Sequence, residues 1–206
     1  RTPISRRMEE AGVKIHYLDK KLGLDLSMIG KLKKLMLAEK PNVVHTHLDV
    51  IKYAAAAARL AGVPRCVHTV HNVADKEAEG RAQKIINGFY FSHGWSTPVA
   101  LSPEVQKSVA SFYGLPMEKI PVIYNGIDLS RCQKKQNYTL QNPAILTHIG
   151  RFNEQKNHNS LLRTFALIHQ KYPHTRLNLL GDGELLKPTQ ALAKTLGISD
   201  SVDFLG

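Results

Sequence analysis

Apolar residues along this chain follow two rhythms. Short runs rich in β-branched residues recur at Val13 to Leu18, Val43 to Thr46, Arg65 to Val70, Pro98 to Leu101, Val122 to Tyr124, Ala144 to Ile149, Arg176 to Leu180 and Val202 to Leu205. Most are continuous rather than alternating, the pattern of strands covered on both faces. Between them lie longer amphipathic stretches that predict helices over Ile4 to Ala11, Ser27 to Glu39, Asp49 to Ala61, Glu77 to Phe91, Pro103 to Tyr113, His158 to Lys171 and Glu184 to Leu196. Ser102-Pro103-Glu104 has the hydroxyl cap and first-turn proline of a helix start, and Gly62, Gly114 and Gly197 stand where helices stop. Strands alternating with helices predict an α/β fold of parallel sheets with crossover helices.

The rhythm fails between Asp128 and Pro143, where the chain is polar and aperiodic, as a linker would be. The expected organisation is one α/β unit over residues 1–130, a linker over 131–143 and the opening of a second unit over 144–206. The second unit has too few residues to cover both faces of its sheet. With Arg1 in place of an initiator methionine, the chain reads as an internal piece of a longer protein.

Composition narrows the function classes. Cys66 and Cys132 are the only 2 cysteines, which argues against a disulfide scaffold or a zinc site and for a reducing, cytoplasmic setting. No apolar run approaches the roughly 20 residues of a membrane helix. A net charge of +11 favours anionic partners. Nucleic acid is not expected among them, because aromatics make up 7% and do not interleave with the basic residues. Lys31-Leu32-Lys33-Lys34-Leu35 is either a solvated helix face or a peripheral contact with an anionic membrane.

The candidate chemistry gathers at strand ends. Gly150-Arg151-Phe152 leaves one strand and leads through Asn153-Glu154-Gln155-Lys156-Asn157 into a helix. A glycine that permits close backbone approach, a helix N-terminus and two permanent cations suit a diphosphate; Arg151 and Lys156 are otherwise ordinary surface charges. Gly181-Asp182-Gly183 offers a second close approach, without the third glycine of a dinucleotide fingerprint. Asn125-Gly126 suggests a tight turn. His71 closes the run Val67 to Asn72, and His45 and His47 end the preceding strand. If the strands are neighbours, these histidines lie beside His71. His45 and His47 are taken to point to opposite faces, so that one of them at most lines a shared pocket and a two-histidine metal site is not expected. There is no Asp-x-Asp, P-loop or Gly-x-Ser-x-Gly elbow.

Val122 to Asp128, Gly150-Arg151-Phe152 through Gln155-Lys156-Asn157, and Gly181-Asp182-Gly183 occur in the order and spacing found in the retaining GT-B glycosyltransferases (family 4, group 1), which include sucrose synthases and bacterial cell-envelope sugar transferases. Ser102 to Val105 and Val202 to Gly206 resemble that family too. The resemblance implies two Rossmann-like domains, both incomplete here, and transfer of a sugar from a nucleoside-diphosphate sugar, such as a UDP-sugar, to a glycan or lipid-linked acceptor. It assigns donor binding to Gly150, Arg151, Lys156, Gly181, Asp182, Gly183 and Asn125, and catalysis to His71, Arg151 and Lys156. The acceptor side would take His45, His47 and Ser102. No metal and no cofactor are expected. The family's glutamate pair and its first glycine-rich loop are missing, so the chain by itself is expected to be inactive. A nucleotide-sugar epimerase of the same fold and a noncatalytic basic binding module are the alternatives.

Overall fold

Both sheets are parallel, three-stranded and built from consecutive strands. In the computed structural model, which describes residues 2–78, 80–134, 136–137, 139 and 143–206, the chain divides into Arg1–Asp128 and Leu129–Gly206. Unit 1 runs α1 (Pro3–Glu10), α2 (Ser27–Glu39), β1 (Val43–His47), α3 (Ile51–Leu60), β2 (Arg65–Val70), α4 (Ala74–Glu77), α5 (Gly80–Ser92), β3 (Thr97–Ala100) and α6 (Pro103–Tyr113), with sheet order β1-β2-β3. Unit 2 runs β4 (Ile145–Ile149), α7 (His158–Lys171), β5 (Arg176–Leu180), α8 (Leu186–Thr195) and β6 (Val202–Phe204), with order β4-β5-β6. Part of the polar segment 131–143 lies outside the described residues.

The alanine-rich stretch explains how unit 1 closes. Ala55, Ala57 and Ala58 of α3 are buried, and the absence of bulk lets the helix press into a core shared with Ile51, Val70, Phe91, Ala100, Val109 and Ile120. α6 starts where its sequence says it should. Ser102 Oγ accepts from Val105 N, Pro103 occupies the first turn, and Gly114 ends the helix at φ 66. In unit 2, Phe152, Leu162, Phe165, Leu177, Leu179, Ala193 and Val202 form a core on one face of the sheet.

Three expectations require correction, and a fourth is met. Val13 to Leu18 is not a strand; among the described residues its backbone joins no ladder, and Lys14 and His16 instead tie the segment to Glu39 of α2. The helix predicted over Glu77 to Phe91 starts later, at Gly80, because α4 ends at Glu77 and Ala78 turns extended (ψ 97). Val122 makes a single parallel bridge to Ala100 and no strand follows, since β3 ends at Ala100 and offers no further partner. The continuous apolar run of β4 is not covered on both sides: Ile145 and Ile149 are 52% and 75% exposed, the bare face anticipated from the shortness of unit 2.

Candidate functional site

In unit 2 the carboxyl ends of β4 and β5 lead into two loops that are fastened by backbone. Gly150 N donates to Leu180 O at 2.9 Å, Phe152 N to Asp182 O at 2.9 Å, and Leu185 N to Phe152 O at 2.9 Å. The glycines make this possible. A Cβ on Gly181 (φ 139) would sit 2.3 Å from Gly150 O, and one on Gly183 (φ 152) 2.5 Å from Phe152 O. Gly181 and Gly183 thus approach the chain's own Gly150-Arg151-Phe152 backbone closely. Asp182 turns inward on its own loop, Oδ1 accepting from Gly183 N at 2.7 Å.

The cations stand outside this fastening. Arg151 is exposed and donates to Glu184 at 3.2 Å. Lys156 is exposed, but its stem lies against Gly150, whose added Cβ would meet Lys156 Cγ at 3.3 Å. Both cationic side chains therefore belong to one loop. The expected direct run into a helix N-terminus needs amendment. Glu154–Lys156 forms a 3₁₀ turn capped by Asn153, and Asn157 (φ 47) caps α7 with its side chain on Ser160 N. Beneath the loop His158 is 3% exposed and stacks on Phe152, ring centroids 4.1 Å apart. Its pKa is lowered by burial and by neighbouring His148. Among the described residues, neither ring nitrogen of His158 nor His148 Nε2 has a hydrogen-bond partner.

In unit 1, parallel pairing sets His47 opposite Thr69 and Thr46 opposite His68, so the expected neighbourhood of His71 forms. His47 Nδ1 lies 2.8 Å from His71 Nε2. The expectation that His45 and His47 point apart is wrong. Residues two apart on a strand share a face, and their rings stand 4.3 Å apart. His45 Nε2 bonds Thr69 Oγ1 at 2.8 Å. Leu48, which follows, takes φ 57 and turns the chain out of β1. Burial, then His45, His71 and His68, lower the His47 pKa.

Glu77 was missed by the sequence. Its Oε2 accepts from His71 N at 2.6 Å and Asn72 N at 2.9 Å, and its Oε1 faces buried His68 Nε2 at 3.4 Å, a contact short of a formed hydrogen bond. Burial would raise the Glu77 carboxyl, but His68 and the N–H groups of Asn72 and His71 outweigh it and hold the group below the usual carboxylate range. Glu184 and His158 were missed as well. No spacing signal marks Glu77, although an acid six residues after a strand-end histidine is within turn reach.

Two further candidates of unit 1 make no bond with the histidines of its cluster among the described residues. Asn125 lies in an exposed coil; Gly126 has no positive φ, so the tight turn is absent. Ser102 is occupied as the α6 cap. Lys31 ties down the Leu18 and Asp19 carbonyls, whereas Lys34 is exposed. Among the described residues no helix is long and apolar enough to cross a membrane, and no group of His, Cys, Asp and Glu is placed to hold a metal.

Two successive α/β units, each with a parallel sheet and crossover helices, make up the GT-B fold. The same fold is seen in Anabaena HepE, solved in complex with UDP and glucose, which aligns with 98% of this chain and 58% of its own at a TM-score of 0.77 and 18% identity. The model for Glycosyltransferase Family 4 matches residues 2–131 and that for Glycosyl transferases group 1 matches residues 130–206, and the chain belongs to this family. An Escherichia coli UDP-Gal:alpha-D-GlcNAc-diphosphoundecaprenol alpha-1,3-galactosyltransferase is 30% identical over 79% of the chain and 46% of its own length. Bacillus subtilis EpsF, a putative glycosyltransferase, is 28% identical over 80% and 46%. The chain thus spans about half the length of these relatives.

Proposed function

We propose that the complete protein is a retaining hexosyltransferase that uses a UDP-sugar or similar donor in the synthesis of a cell-envelope glycan or glycolipid. The observation that carries this is the unit 2 loop pair. Glycines lock Gly150-Arg151-Phe152 against Gly181-Asp182-Gly183, and Arg151 and Lys156 of the same loop are both exposed to solvent. Two permanent cations on a fixed backbone neutralise a diphosphate both when bound and as it leaves. They supply the charge that a metal would otherwise bring. His71, from unit 1, is assigned to the transferring sugar, where a neutral imidazole can donate or accept. The nature of the first relative's acceptor, a lipid diphosphate, supports a lipid-linked acceptor and a cytoplasmic, peripheral membrane setting here.

The test is incubation of the full-length protein with UDP-sugars and lipid-linked or soluble acceptors. Transfer with retained anomeric configuration is the expected result. Epimerised donor without transfer would move the protein to the epimerase class, and tight salt-sensitive binding to random oligonucleotides without donor affinity would make it a basic binding module.

A further inference from the structure

We propose that Glu77 and His47 are positioning residues for His71: Glu77 holds the backbone that carries it, and His47 fixes which of its ring nitrogens bears the proton. This rests on the assignment of His71 to the transferring sugar.

The sheet ladder stops at Val70, and the next two N–H groups have no strand to pair with. One oxygen of Glu77 accepts both of them, from His71 and Asn72. Glu77 is at the last position of α4 and its side chain is 11% exposed. A carboxylate so placed takes two backbone donors that would otherwise be unsatisfied, and the charge strengthens both bonds. Its other oxygen faces His68, which is 1% exposed and joined to Thr46 Oγ1 at 2.8 Å. The turn carrying His71 is thereby bonded to a carboxylate that itself lies against the interior of the sheet.

The ring is held separately. At 2.8 Å a single hydrogen lies between His47 Nδ1 and His71 Nε2, so one ring donates and the other accepts. In the neutral form of His71, a Nε2 that donates leaves Nδ1 to accept, and a Nε2 that accepts leaves Nδ1 to donate. His47 is itself braced by the His45 ring at 4.3 Å. His45, His68, His71 and Glu77 are the titratable groups acting on it, and their combined effect with burial is to favour its neutral form.

Imidazole ¹⁵N spectra of histidine-labelled full-length protein would show His71 in a single tautomer. His47→Ala should give a mixed tautomer and lower kcat about tenfold, the worth of one hydrogen bond, at an unchanged donor KM. His47→Asn, whose amide can stand in for Nδ1, should restore both. In Glu77→Gln, and more so in Glu77→Ala, exchange of the His71 and Asn72 amide hydrogens should quicken by about tenfold or more. If Glu77→Ala fails to fold, the Gln variant decides. A mixed tautomer in the wild type, an unaltered one in His47→Ala, or unaltered amide exchange in Glu77→Gln would overturn the proposal. None of these spectra depends on turnover. If they behave as stated while His71→Ala transfers sugar at the wild-type rate, the sugar assignment fails and the positioning stands.

Discussion

At the end of β2 side chains are held by other side chains; at the ends of β4 and β5 the backbone is held and the side chains that matter are left outside. His71 has its ring bonded to His47 and its N–H bonded to Glu77. Arg151 and Lys156 project from a loop whose rigidity comes from Gly150, Gly181 and Gly183, and the ion pair to Glu184 is solvent-exposed. The difference fits two kinds of task. On the proposed function, a group that must offer one particular lone pair or hydrogen needs its proton fixed, whereas a group that neutralises a diphosphate needs only to be charged and exposed.

The contrast can be broken most directly at the cations. In the full-length protein Arg151→Ala or Lys156→Ala should lower the transfer rate by at least about a hundredfold, with stability little changed, because both side chains are exposed. Wild-type rates in both variants would remove the diphosphate role. Gly181→Ala attacks the backbone instead. Its methyl would collide with Gly150 O at a φ of 139, and thermal unfolding of the variant should show a loss of about 2 kcal/mol or more. Gly126→Ala, with open space around it and no positive φ, should stay within about 0.5 kcal/mol.

Acid acts on both regions in the same sense, since His47 and His158 are both held toward the neutral form, and in unit 2 the effect can be isolated at His158. The His158 pKa is lowered in the fold, so the unfolded chain takes up its proton first as pH falls. The stability contribution is complete above the ordinary histidine value and fades as pH drops through it. Replacing His158 with Phe should therefore make the unfolding midpoint of the protein less sensitive to pH between about 7 and 5. The smallest change is expected from Glu184→Gln. Removing an exposed carboxylate beside Arg151 should raise affinity for a nucleoside diphosphate by less than about fivefold, measured by titration calorimetry.

The sequence showed most of the α/β framework, because period and punctuation are local signals. Arg65–Val70, Ser27–Glu39, Pro103–Tyr113 and His158–Lys171 have the limits their apolar patterns predict. Val13 to Leu18 and Val122 to Tyr124 have strand-like composition, but a strand also requires a neighbour, which composition does not report. The motif glycines were visible while their reason was not: only the fold shows that Gly181 and Gly183 abut Gly150 and Phe152. Glu77 was hidden in the same way. Its importance lies in two backbone donors left over by the end of β2, and a strand's last hydrogen bond is invisible before the register is known.

The backbone contact between Gly181 and Gly150 makes the two loops of unit 2 a single mechanical piece. A phosphate that pulled on Arg151 would pull through that contact on Asp182 as well. A displacement of either loop would be felt at the other without any side chain having to carry the message.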